Sequence, residues 1–154
     1  MTSSRETSSR ASGTGTRRWI VFEECARERA VPIDTTRVSG GRVLGRRDAL
    51  ARVVRNLIDN AARHAETSVK VSLSDDDGTV ELVVADDGPG IAPEDHERVF
   101  ERFTRLDEGR ARDAGGMGLG LAVVRSTIER HRGTVQIEDE VPHGARFVVR
   151  LPAA

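Results

Sequence analysis

The 154-residue sequence is poor in several things on which whole protein classes depend. It has one cysteine, Cys25, so no disulfide can form within the chain. A secreted disulfide scaffold is therefore excluded, and a reducing, cytoplasmic compartment is the simpler reading. Net charge is almost missing: 24 basic and 25 acidic residues leave −1, where a general nucleic-acid binder would carry a large basic excess. Lysine is scarce, Lys70 being the only one, so the positive side is almost all arginine. No apolar run approaches the roughly 20 residues that cross a bilayer, so the chain is expected to be soluble and to make no membrane contact itself. What is present, 37% hydrophobic and 32% charged residues, suits one domain with a real core and some loose chain.

The loose part is expected at the start. Residues Met1 to Arg18 are mostly Ser, Thr, Gly and Arg and have nothing to bury, so 1–18 reads as a disordered tail and 19–154 as the domain. Val21, Phe22, Cys25 and Ala26 recur at helical spacing between Trp19 and Ala30, with Cys25 as a small core residue. Val31 to Asp34 and Arg42 to Leu44 read as short strands or extended connectors. Leu50, Val53, Val54, Leu57, Ile58, Ala61 and Ala62 then follow i, i+3, i+4, i+7 and onward, which predicts a core-facing helix. Val69, Val71 and Leu73 alternate with polar residues and face Val80, Leu82, Val83 and Val84 across Asp75-Asp76-Asp77-Gly78, a hairpin. That turn is not a calcium loop, because its glycine is at the fourth position and an EF-hand needs it at the sixth. A short helix near Pro93 to Phe103, a polar stretch from Leu106 to Ala114, a second amphipathic helix from Gly118 to His131, and strands Thr134 to Ile137 and Arg146 to Leu151 complete the pattern. Interleaved helices with two hairpin-like connections predict an α+β sandwich, a mixed sheet with helices on one face.

Three places carry candidate chemistry. On a wheel of about 100° per residue, Asn56, Asn60 and Arg63 fall within an arc of about 60° beside the apolar stripe. This is either a solvated helix face or a site where carboxamide oxygens complete an octahedral Mg²⁺ and Arg63 reaches a phosphate. Asp86-Asp87-Gly88-Pro89-Gly90-Ile91 follows a strand. It is either an ordinary Asp-Gly turn or a carboxylate that accepts the exocyclic amine of adenine, with glycines that admit a flat ligand. Gly115-Gly116-Met117-Gly118-Leu119-Gly120-Leu121-Ala122 opens the last helix. Its backbone N–H groups suit a polyphosphate, although it matches neither a P-loop nor a dinucleotide fingerprint, and a glycine hinge is the other reading.

In order and spacing, these elements together with Phe100-Glu101-Arg102-Phe103 resemble the N, G1, G2 and F boxes of the catalytic ATP-binding domain of sensor histidine kinases. The resemblance runs from about Trp19 to Pro152. It implies the Bergerat fold: a mixed sheet covered by about three helices, with ATP under a flexible lid from roughly Ala92 to Gly115. Carried over by position, it makes Asn60 the Mg²⁺ ligand with Asn56 beside it, sets Arg63 on phosphate, lays His64 against the nucleotide and gives Asp86 the adenine amine. Gly88 and Gly90 would shape the base pocket, Gly116, Gly118 and Gly120 would wrap the phosphates, and Ile91, Phe103, Met117, Leu119 and Leu121 would line the nucleotide. Arg105 stands where a lid arginine aims at the γ-phosphate, and Phe100 and Phe103 would pin the lid. Two departures are visible: Asp87 replaces the usual asparagine, and His131-Arg132-Gly133 a usual His-Gly-Gly.

Related ATPases and anti-sigma serine kinases carry a glutamate one turn before the magnesium asparagine; this chain has Asn56 there. A neutral imidazole already presents a lone pair, so the resemblance favours transfer to histidine over hydrolysis or serine phosphorylation. The acceptor itself is missing. His96 precedes Glu97 but lies beside the F box without the expected proline, and His131 and His143 read as surface residues. The expected partner is thus a histidine-bearing dimerisation domain, reached in trans, and through it a response regulator. The chain would be either an excised piece of a membrane sensor or a separate polypeptide, which its Met1 and its ending at Pro152-Ala153-Ala154 make plausible. A nucleotide-gated interaction module without turnover and an anti-sigma-type serine kinase are the competing functions.

Overall fold

Asp77 and Gly78 both have positive φ, 47° and 76°, the pair that a two-residue hairpin turn requires. The expected hairpin therefore closes more tightly than its four-residue polar run suggests, pairing Asp76 with Thr79 and Val69 with Asp86. The computed structural model describes residues 31–102 and 120–154. Within them the chain runs β1 (Ile33–Val38), α1 (Arg47–His64), β2 (Val69–Asp76), β3 (Thr79–Asp86), α2 (Gly120–Arg130), β4 (Thr134–Asp139) and β5 (Ala145–Pro152). The strands form one mixed sheet in the order β1-β2-β3-β5-β4, with β1 parallel to β2 and the other pairs antiparallel.

α1 and α2 cover one face of this sheet. α1 turns Val53, Leu57, Ile58 and Ala61 fully inward, and α2 adds Val124 and Ile128. They meet Val69, Val71, Val84, Phe147 and Val149 from alternate strand positions. α1 carries Asp48 in its first turn and Arg63 and His64 in its last, each on the favourable side of the helix dipole. The helices run antiparallel. Asn56, midway along α1, donates from Nδ2 to the carbonyl of Gly120 at the start of α2, at 3.2 Å. At the other end the Arg46 N–H donates to His131 Nε2 at 3.2 Å, while His131 Nδ1 donates to the Thr127 carbonyl at 2.7 Å. These two bonds together fix the neutral ring with its proton on Nδ1. His131 is thus a half-buried bridge between the helices and not a surface residue.

Other expectations shift in detail. The helix expected near Pro93 to Phe103 is two single 3-10 turns, Pro93–Asp95 and Arg98–Phe100, because no apolar stripe long enough for an α-helix accompanies them. The connector Arg42 to Leu44 contributes one bridge, Val43 to Ala153. The tail 1–18, the helix expected from Trp19 to Ala30, the stretch Leu106 to Ala114, and Phe103, Arg105 and Gly116 to Leu119 lie outside the described residues.

Candidate functional site

β3 ends at Asp86, and the chain then turns beneath the last residues of α1. Asp86 is 4% exposed. Its Oδ1 accepts from the Gly88 N–H at 2.9 Å, and the Ala145 N–H also donates to the carboxylate. Burial pushes the Asp86 carboxyl above its ordinary range, against the pull of those two N–H groups and of the His64 imidazole. The turn is pressed tightly on its surroundings. A Cβ on Gly88 would sit 2.2 Å from the His64 carbonyl oxygen, and one on Gly144 would sit 1.9 Å from the Asp86 carbonyl oxygen. Gly90 packs in turn against the Gly144 carbonyl. The start of β5, the end of β3 and the end of α1 therefore meet at one end of the sheet.

Asn56, Asn60 and His64 are spaced four apart and form one stripe along α1. The stripe is fixed at both ends, Asn56 by Gly120 and His64 by the Gly88 turn. Asn60, half-buried, lies on the helix wall between these contacts, and Arg63 and His64 are exposed beside it. Ile91 and Leu121 are half-buried against the core, and His96 Nε2 donates to the Ile91 carbonyl at 3.0 Å. The structure thus gathers the His64 carbonyl, Asp86, Gly88 and Gly90 around one turn and sets Asn56 against Gly120, with Asn60 and Arg63 on the same helix and Ile91 and Leu121 packed on the core. Phe103, Arg105, Gly116, Met117, Gly118 and Leu119 are outside the described residues.

Three neighbours of the site were not legible beforehand. Asp87 Oδ1 accepts from the N–H groups of Glu66, Thr67 and Ser68 at 2.9, 3.0 and 3.2 Å, and its Oδ2 from the Thr67 hydroxyl. These donors hold its carboxyl well below the usual carboxylate range. Its departure from the usual asparagine was the only signal. His143 Nδ1 donates to the Gly88 carbonyl at 3.1 Å, so this exposed ring is tied to the turn. Arg125 on α2 stacks 4.4 Å above the Phe100 ring and pairs with Glu97 at 2.7 Å, while Phe100 meets Phe147 edge-on in the core.

Residues 45–154 match the family model described as histidine kinase-, DNA gyrase B-, and HSP90-like ATPase. The chain belongs to this family. Among curated relatives, it is 44% identical over 108 residues to the sensor histidine kinase CpxA of Escherichia coli strain K12, covering 70% of this chain and 24% of that protein. It is 41% identical over 125 residues to the sensor-like histidine kinase SenX3 of Mycobacterium tuberculosis strain H37Rv, covering 80% of this chain and 30% of that protein. Among solved structures, the mycobacterial sensor histidine kinase MprB superposes with a TM-score of 0.76 at 35% identity over 87% of this chain and 91% of that one. Full-length ShkA in complex with AMPPNP gives 0.72 at 30% identity over 89% of this chain and 29% of that one. The chain spans less than a third of the length of these curated relatives and corresponds to the ATP-binding kinase domain of sensor histidine kinases. No helix among the described residues is long and apolar enough to cross a membrane.

Proposed function

We propose that this domain binds Mg·ATP at the end of the sheet described above and passes the γ-phosphoryl group to a histidine on a separate helical dimerisation domain. Through that domain it would serve a response regulator. The observation that carries this reading is the α1 stripe Asn56-Asn60-His64, which reaches from Gly120 at the head of α2 to the Asp86-Gly88 turn. In this reading the adenine lies at the Asp86-Gly88 end of that helix wall and the phosphates at the Asn56-Gly120 end. ShkA, a similar structure, holds an ATP analogue.

The residues present fit this ligand. Asp86 is buried yet keeps a carboxylate oriented by two N–H donors, so it can accept an amine, and guanine would present an oxygen to it. Gly88 leaves no room for a side chain between that carboxylate and α1. Asn60 supplies a neutral carbonyl oxygen, suited to a magnesium ion whose anionic ligands come with the phosphates, and Asn56 is steadied beside it by Gly120. When bound, the ion neutralises phosphate charge. Arg63 reaches the phosphates from the last turn of α1, while the glycines Gly116, Gly118 and Gly120 wrap them. Phosphoryl transfer asks the protein mainly for positioning and charge, which this set provides. Asn56 cannot act as a general base, which favours a histidine acceptor over water or a hydroxyl.

The test mixes the domain, γ-labelled ATP and a helical phosphoacceptor hairpin. Label should reach the hairpin only with Mg²⁺. A bound metal ion supplies several kcal/mol of transition-state charge stabilisation, so Asn60→Ala, which would loosen it, should weaken Mg·ATP and slow transfer by about a hundredfold or more. Normal transfer by that variant would remove Asn60 from the site, and steady hydrolysis by the domain alone would favour an ATPase.

A further inference from the structure

A groove of about 520 Å³ runs along the outer side of α1 and α2, away from the sheet. Arg46, Arg52, Arg102 and Arg130 line it, against one acid, Asp48. All four guanidinium-bearing residues are exposed, and among the described residues none lies in ion-pair reach of a carboxylate. This concentration is out of character for a chain whose net charge is −1. The floor is small and aliphatic, including Ala49 and Val123.

The groove is also placed with respect to the site. Arg52 precedes Asn56 by one turn on α1, and Asn56 touches Gly120, so the groove opens beside the Asn56–Gly120 contact. Arg102 follows the Phe100 anchor, and Arg130 closes α2 at the far end.

The geometry points to this groove as the docking surface for an acidic helix of the phosphoacceptor partner. The identity of that partner rests on the reading proposed above. Two antiparallel helices with small residues between them accept a third helix as a ridge in a groove. Four arginines against one acid then select a helix face rich in Glu or Asp, steering its approach and setting its register. Docked there, the partner would bring its histidine to the end of the groove where Asn56 and Gly120 meet.

The test uses the domain and a designed two-helix phosphoacceptor hairpin in two versions, which differ only in having Glu or Gln along the face flanking the histidine. The Glu version should bind about tenfold or more tightly than the Gln version, and the difference should vanish between about 0.05 M and about 0.5 M salt. Arg52→Glu with Arg130→Glu should abolish the preference, and Arg52→Gln with Arg130→Gln should reduce it by an intermediate factor. ATP affinity and thermal melting should stay unchanged in both double variants. Equal binding of the two hairpins, or full retention by the Glu variants, would overturn the docking surface. So would a single-stranded oligonucleotide that binds more tightly than the Glu hairpin with the same arginine dependence. Failure of the unaltered domain to bind ATP would instead overturn the proposed function, leaving the hairpin titration to be read separately.

Discussion

Asp86 shows at the scale of one residue how a buried carboxylate costs stability. Its ordinary carboxyl value is 3.8, and in the folded chain burial raises it. Above that value the native state holds its proton longer than the unfolded chain does, so stability falls as pH rises through the window between the two. At neutral pH the ionised, buried Asp86 therefore subtracts from stability. Asp86→Asn removes that charge at nearly the same volume and should melt at the same temperature or higher, with a flatter pH dependence just above the ordinary carboxylate range. The same variant should lose ATP. With its oxygen kept on the Gly88 N–H, the new amide turns its NH₂ toward the adenine amine, donor against donor. An unmade buried hydrogen bond costs about 1–3 kcal/mol, roughly a ten- to hundredfold weaker Kd. Thermal melts over pH together with ATP titration check both halves, and unchanged ATP affinity would take Asp86 out of the base pocket.

At the scale of elements, the connection from α1 to β2 is held by a carboxylate that belongs to neither. Asp87 gathers the N–H groups of three consecutive residues, Glu66, Thr67 and Ser68, and so fixes where α1 ends relative to β2. Its carboxyl is depressed from 3.8, so it contributes stability above that unfolded value and loses it as pH falls below. The sign is opposite to that of Asp86. Asp87→Ala should lower the melting temperature at neutral pH. Asp87→Asn, which keeps one acceptor oxygen, should lose less, and both should show a smaller acid-side fall in melting temperature than the unaltered chain. A normal acid profile in Asp87→Ala would show that the turn holds without it. This contact also marks where sequence reading stops. α1 and the β2–β3 hairpin were legible because burial writes a period of 3.6 or 2 into Leu50 to Ala62 and Val69 to Val84. Asn56, Asn60 and Asp86 were singled out because four short motifs occur in one order, and the structure sets Asn56 on Gly120 and buries Asp86. Asp87 was noticed only as an odd neighbour, since its partners, the Thr67 hydroxyl apart, are backbone groups that leave no trace in residue identity. Arg125 on Phe100 was invisible for a related reason, because it depends on where the sheet sets α2.

For the molecule as a whole, the site exists because one end of the sheet gathers chain segments remote in sequence. The end of α1, the turn after β3 and the loop before β5 meet there, and the head of α2 touches α1 two turns earlier, at Asn56. Two glycines separate this convergence from ordinary turn chemistry. Gly78 has φ +76° with nothing within 4 Å of an added Cβ, so Gly78→Ala strains only its own backbone. That costs about 1–2 kcal/mol, roughly 3–6 °C of melting temperature for a chain of this size, and should leave ATP affinity untouched. Gly144 has φ +122°, and its Cβ would meet the Asp86 carbonyl oxygen at 1.9 Å, so Gly144→Ala must push β5 and the Asp86 turn apart. It should lower the melting temperature further and also weaken ATP, although residue 144 carries no group for the nucleotide. Measuring both variants by melting and ATP titration separates the two effects. If they lose ATP equally, or if Gly144→Ala loses only stability, the nucleotide is not held where β3, β5 and α1 meet.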